Sequence, residues 1–375
     1  MKKLLRSLYV SFALVLLLTG CKQAKNPEKS LKESPGTESV SSAETKESGE
    51  YTIIDQADRK VTIKEPIKKI AVMQHHSLDI IAQLGGQEKV IATEKNWERD
   101  LGPYMKDVFP GIENLATPGD LKEWNVEALA ELKPDLVIAA SQANPESIKK
   151  LEDLGIPVVV VSLRGEGKQK EAQNPRLSDA DKAYTDGLEW AIKTIGKFVD
   201  REEKAEDLWN YCLESRKIVE DAVGDVADDK RVRAFIANEN DQTYGNDKYV
   251  GAQMLRAGAV NVAAKDIQGY KPYSFEQLAN WDPDVIIIQD RYPEVYKQFT
   301  SEPKYKELRA VKDGKVILAP YWTKPWGNPD SDSLALGELY FAHKFYPEKI
   351  DKKLVEDRAK EFYKKFYGVE FKGEI

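Results

Sequence analysis

Only three histidines occur in the 375 residues, and two of them, His75 and His76, stand together after the apolar run IAVM. Imidazole is the commonest metal ligand, so either ring could reach an iron, nickel or cobalt centre carried by a chelator. Adjacent residues at a strand end do not easily aim at one ion together. Two ligands are also too few for a bare cation, since a zinc site uses four ligands or three plus water. In the plain alternative, one His caps the helix HSLDIIAQLG and the other is exposed. His343, inside LGELYFAHKFYP, reads as structural. The loops that would share a cleft with the pair are aromatic and cationic. Trp97, Arg99 and Arg164 come from the first half of the chain. Tyr244, Tyr249, Tyr270, Tyr273, Arg291, Trp322, Lys324 and Trp326 come from the second. Aromatic walls with a few fixed polar groups suit a flat organic ligand, and Arg or Lys suits one bearing anionic oxygens. With 17 Tyr and 7 Trp in the chain, several of these must be plain core residues.

Catalytic signatures are missing. There is no G-x-S-x-G elbow, no H-E-x-x-H, no P-loop and no G-x-G-x-x-G after a strand. Asp79, four residues after His75, is a lone acid near a His and carries little weight. The expectation is a binder, with a surface-anchored α/β enzyme as the remote alternative.

The elements that must position these residues alternate in type. KKIAVM, KVIATE, PDLVIAAS and IPVVVVSL read as strands, interleaved with the helical stretches HSLDIIAQLG, NVEALAELK and ESIKKLEDLG. A second series begins near residue 231 with RVRAFIAN, VGAQMLRAG, SFEQLANW, PDVIIIQD and KVILAP, followed by a helix from about Ser331. Such alternation implies βαβ units and mainly parallel sheets. Residues 179–224 carry apolar side chains at helical spacing, with neither strand nor Pro, and read as one long helix joining two α/β lobes. Asp200-Arg201-Glu202 is a possible interruption that would make two consecutive helices. The fold class is therefore α/β: two Rossmann-like lobes joined by a long helix. NVEALAELKPDLVI and SFEQLANWDPDVII share Glu, Leu-Ala, Pro-Asp and an apolar run at the same offsets, one phrase per lobe. That repetition reads as pseudo-symmetry.

The ends and the charge narrow the class further. MKKLLRSLYVSFALVLLLTGC has the layout of a secretory signal, with an apolar stretch too short for the roughly 20 residues of a membrane span. Residues 22–50 are rich in Ser, Lys, Glu and Thr and lack aromatics, the composition of a flexible tether. Without the three signal charges, 53 Lys+Arg face 63 Asp+Glu, a formal charge of −10. That balance argues against nucleic acid as a partner. Cys212, in a helical pattern, reads as a buried small hydrophobe. The expected divisions are signal 1–20, lipidated Cys and tether 21–50, first lobe 51–178, linker helix 179–225 and second lobe 226–375.

Leu18-Thr19-Gly20-Cys21 resembles the lipobox of bacterial lipoproteins, which implies lipidation at Cys21. KKIAVMQHHSLDIIAQLGGQEKVIAT, NVEALAELKPDLVI, LRAGAVNVA and SFEQLANWDPDVIII together resemble the class III substrate-binding proteins of ABC importers, from about Tyr51 to Phe366. That family serves iron–siderophore, haem and cobalamin uptake. The resemblance implies a monomer anchored on the outer face of a bacterial membrane, with the long tether suggesting a Gram-positive envelope. It implies a permease dimer with its ATPase as partner, docked through one exposed Glu per lobe at Glu127 and Glu276. It also implies no cofactor of the protein's own and a cargo that contains a metal, iron first. A ferric siderophore is the leading expectation, then haem, then cobalamin or a nickel or cobalt chelate, with His75 or His76 touching the metal.

Overall fold

In the computed structural model, which describes residues 49–166, 174 and 176–375, the β-branched runs become strands and the amphipathic runs become helices in the expected order. An antiparallel hairpin, β1 (Glu50–Ile54) and β2 (Lys60–Lys64), precedes them. The first lobe then holds β3 (Ile70–Met73), α1 (His75–Leu84), β4 (Val90–Thr93), and the short helices α2 (Trp97–Leu101) and α3 (Met105–Val108). It continues with α4 (Val126–Glu131), β5 (Leu136–Ala140), α5 (Pro145–Asp153) and β6 (Val158–Val161). Two long helices follow, α6 (Ala180–Phe198) and α7 (Glu202–Val223). The second lobe runs β7 (Val232–Ala237), β8 (Gln242–Tyr244), α8 (Tyr249–Arg256), β9 (Ala259–Asn261), β10 (Tyr270–Pro272) and α9 (Phe275–Trp281). It closes with β11 (Val285–Gln289), α10 (Pro293–Ser301), α11 (Arg309–Lys312), β12 (Val316–Ala319), α12 (Glu338–Phe345) and α13 (Lys352–Phe362).

Each lobe carries a four-stranded parallel sheet, in the orders β4-β3-β5-β6 and β12-β11-β7-β9. Counted from each lobe's own first parallel strand, and reading the second order backwards, both are 2-1-3-4. The repeated phrase thus occupies one topological place twice, as the helix that feeds the third strand: α4 into β5 and α9 into β11. Asn125 caps α4 by accepting from the Ala128 N–H at 3.0 Å, and Ser274 caps α9 in a reciprocal box with Gln277. Both caps satisfy amides that a helix start leaves without partners.

The expected single linker helix is two. The break falls at Val199-Asp200-Arg201, where Asp200 turns left-handed at φ 54°. This is the alternative that Asp200-Arg201-Glu202 signalled. The chain reverses there and the helices pack on each other, closely because Gly196 lacks a side chain: a Cβ at that position would lie 2.5 Å from Ala205 Cβ. Cys212, fully buried in α7, donates its S–H to the Ser331 carbonyl at 3.4 Å. One continuous apolar core runs from Ile70, Val72 and Ile138 through Leu188, Ile195 and Leu208 to Ile236, Ile287 and Phe341. The outer faces of the two sheets have separate smaller cores, around Val137 and Val160 in the first lobe and Phe235 and Ile288 in the second. Among the described residues no helix is long and apolar enough to cross a membrane.

Candidate functional site

Ligands in open α/β sheets gather beyond the carboxyl ends of the strands. Here the residues that follow β3, β5, β8 and β11 meet between the lobes around a cavity of about 270 Å³. Gln74, His75 and His76 come from the β3–α1 junction, Gln142 from the end of β5, and Tyr244 and Tyr270 from the β8–β10 pair. Arg291 and Tyr292 follow β11, and Trp326 lies beyond β12. His75 and His76 are the first residues of α1 rather than loop residues, and neither caps the helix. Both line the cavity. Their rings sit 4.4 Å apart, and each meets Trp326 edge-on, at 6.1 and 5.4 Å.

Arg291 is the fixed cation of the site. Gln289 Oε1 accepts from its Nε at 2.6 Å, the Trp326 ring lies 4.4 Å from its guanidinium, and Nη1 reaches the Asp100 carbonyl of the other lobe at 3.4 Å. Lys248 is the second cation, 4% exposed, with its ammonium pushed down to about 8 first by burial and then by Arg164. Tyr244 and Tyr270 pair across β8–β10 with rings 4.8 Å apart, and burial pushes Tyr244 up to about 12, so its hydroxyl keeps its proton. Burial holds His75 far below the usual imidazole range. It also pushes His76 down to about 3, with Lys324 and Arg291 adding to the effect. Both rings are therefore uncharged at neutral pH. One carboxylate, Asp100, also lines the cavity; burial would raise it, but the Arg99 fork on its oxygens at 2.8 and 3.1 Å prevails and holds it low.

A second charged cluster lies directly behind. Lys324, fully buried and left-handed at φ 38°, meets three fully buried carboxylates. Asp332 lies 2.7 Å away, Asp330 3.4 Å, and Asp79 of the first lobe is in direct contact. The Tyr104 and Tyr367 hydroxyls donate to Asp79 at 2.9 and 2.8 Å, and His76 Nδ1 lies 3.3 Å from Asp330. Burial would strip the proton from Lys324, but the three carboxylates hold its ammonium charged, while burial raises Asp330 and Asp332 well above the carboxylate range.

The structure thus gathers His75, His76, Tyr244, Tyr270, Arg291 and Trp326 of the sequence roster and leaves the others elsewhere. Trp97 and Trp322 are core residues, the latter packed edge-on to Tyr340. Tyr249 is buried with its hydroxyl 3.4 Å from Glu338, and Tyr273 packs on Phe235 and Trp281. Arg164 is buried outside the cavity wall, Arg99 is mostly exposed, and Lys324 belongs to the cluster behind. Lys248 and Asp100 were missed. Each is the immediate neighbour of a residue that was named, Tyr249 and Arg99: Lys248 is the extended N-cap residue of α8, and Asp100 follows Arg99 within α2. Cys21 lies outside the described residues. Glu127 and Glu276 are exposed in the first turns of α4 and α9.

Residues 70–321 match the periplasmic binding protein family. The molybdate-binding protein MolA of Haemophilus influenzae is 41% identical over 321 residues, 85% of this chain and 92% of the relative. The solved structure of MolA bound to molybdate superposes with a TM-score of 0.82, covering 86% of this chain and 99% of that one. The Fe(3+)-citrate-binding protein YfmC of Bacillus subtilis is 24% identical over 339 residues, 89% of this chain and 95% of the relative. Helicobacter pylori CeuE with Ni(II) bound shares the fold, at a TM-score of 0.67 and 18% identity over 86% of this chain and 97% of that one. MolA and YfmC are both binding proteins. The chain belongs to the periplasmic binding protein family, as a substrate-binding protein of an ABC importer.

Proposed function

We propose that this protein captures a small oxyanion of the molybdate type and hands it to its permease. The cavity carries the reading: it holds about 270 Å³ and is walled by Arg291 and Lys248. Pockets that enclose drug-sized organic molecules run to roughly 300–1,000 Å³, so a haem or a siderophore fits this one less well than an ion does. Donors surround it, with the Gln142 amide, the Tyr244 and Tyr270 hydroxyls and the two cations on the wall. The Trp326 indole N–H, a donor only, is buried without a partner. The 41% identity with molybdate-binding MolA supports the same reading. Calorimetric titration with molybdate, tungstate, sulfate, phosphate, ferric citrate and a ferric siderophore tests it. One-to-one binding of molybdate or tungstate is expected. Tight binding of a ferric chelate with no response to any oxyanion would overturn it.

One observation favours the metal chelate expected from the sequence as the second reading. Metal-ligating imidazoles commonly donate their other ring N–H to a carboxylate, and His76 Nδ1 stands in that relation to Asp330. In that case the protein would bind the ferric chelate with no response to molybdate, and a His76→Ala variant would lose the chelate.

Docking to the permease runs through Glu127 and Glu276 in this reading. The two lobes share one topology, and the two carboxylates hold its equivalent places, where paired arginines of a dimeric partner can take them bidentately. Reversing both charges should abolish uptake and leave anion affinity unchanged; lost affinity would refute the assignment. Lipidation at Cys21 completes it, and a Cys21→Ala variant should appear in the medium instead of at the membrane.

A further inference from the structure

Three side chains of the first lobe converge at the cavity wall. His75 Nδ1 lies 3.7 Å from Asp100 Oδ2 and 4.0 Å from Glu94 Oε1. One ligand atom from each residue falls within 4.8 Å of the other two. His75 is 8% exposed and Glu94 is fully buried, yet His75 Nδ1 and Glu94 Oε1 have no hydrogen-bond partner. Leaving such a buried atom unsatisfied costs about 1–3 kcal/mol, so two of them facing each other point to something held between. The rest of each group is anchored. Glu94 Oε2 accepts from the Asn96 N–H at 2.7 Å, and the Arg99 fork holds Asp100 from the outer side.

We propose that His75, Glu94 and Asp100 bind a divalent transition-metal cation in the wall of the cavity. One imidazole and two carboxylates suit zinc, nickel or cobalt. The present separations need to close only slightly around an ion bound at about 2.0–2.2 Å from each ligand. The two carboxylates balance the ion's charge. The inference rests on the oxyanion reading in one respect: His75 and Asp100 also line the cavity, so the ion adds a positive centre to the wall an anion meets.

The test uses purified, tag-free protein stripped with EDTA and dialysed against Co²⁺, Ni²⁺ and Zn²⁺ in turn. Elemental analysis should give one equivalent per chain, and the cobalt form should show visible bands of a nitrogen- and oxygen-ligated ion. Glu94→Gln, close in shape to the native side chain, should weaken the ion by more than about tenfold. His343→Gln, which removes the one imidazole outside the cavity, should retain it. Should Glu94→Gln fail to fold by circular dichroism, His75→Asn takes its place. No stoichiometric ion in the wild type, or equal binding in both variants, overturns the proposal. Molybdate titration of stripped and cobalt-loaded protein separates the two readings. Molybdate binding by a protein that takes up no stoichiometric ion refutes this site and keeps the oxyanion function, whereas one equivalent of ion with no molybdate binding in either form does the reverse.

Discussion

The cavity and the Lys324 cluster touch through His76 and Asp330, yet they treat their charges in opposite ways. Around Lys324 the charged groups hold one another: three carboxylates converge on one ammonium, two tyrosines and Gln83 donate to Asp79, and Asp332 Oδ1 is the one carboxylate oxygen of the cluster left without a partner. In the cavity Arg291 and Lys248 line the wall, and His75 Nδ1, Glu94 Oε1 and Trp326 Nε1 lack hydrogen-bond partners. A network whose members hold one another rigidifies its surroundings, whereas the unpartnered donors and acceptors of the cavity are left for a ligand to take. Asp79 belongs to α1 of the first lobe, and Lys324, Asp330 and Asp332 belong to the second. The Lys324 cluster therefore reads as the clasp that holds the two walls of the cavity at a set distance.

Substitutions can break this contrast. Lys324→Met leaves three buried carboxylates around an apolar side chain, and removing one partner of a buried ion pair costs about 3–5 kcal/mol. Urea unfolding should show a loss of that size; a loss below about 1 kcal/mol would deny the clasp. Arg291→Ala should spare the urea midpoint and act on the anion. Truncating one side of a buried charged contact costs about 2–5 kcal/mol, or from about 30-fold to a few thousand-fold in Kd, read by calorimetry. If stability fell instead of affinity, the two clusters would not differ in kind.

The pH dependence sharpens the same point. Lys248 is charged below about 8 and loses its proton above it. A bound anion favours the ammonium and raises that value further. Affinity should therefore be flat at neutral pH and fall by about tenfold per unit as the pH rises past 8. A Lys248→Met variant should bind more weakly and show no such slope. The smallest effect is expected of Tyr270→Phe, which deletes one neutral donor at the rim. A single hydrogen bond contributes about 0.5–1.5 kcal/mol, so Kd should rise by no more than about tenfold.

How far the site was legible in the sequence follows from how each residue is held. His75, His76, Tyr244 and Arg291 sit at or near strand ends, and periodicity locates strand ends well. Tyr270 and Trp326 were reached as aromatics of the second-lobe segments QGYKPYS and YWTKPWGNPDS, expected to face the cleft. Lys324 looked like a cleft cation because it lies in an aromatic loop, YWTKPWGNPDS. Its inward turn depends on a left-handed backbone and on Asp79, 245 residues away in sequence, and local pattern carries neither. The small size of the cavity was equally hidden, so the aromatic roster suggested a large flat cargo. Several of those aromatics fill the core instead. The shared lobe topology was legible for the opposite reason: it is written locally, twice, in α4 with β5 and in α9 with β11.

The core that runs unbroken beneath both sheets has a thermodynamic consequence. Neither lobe can melt while leaving its neighbour's apolar face covered, so unfolding should be one cooperative event, of the kind single domains show. A ligand that binds only the native state adds RT ln(1 + [L]/Kd) to that single event. Slowly exchanging amides in β5 and in β11, on opposite sides of the cavity, should then gain the same protection factor when it fills.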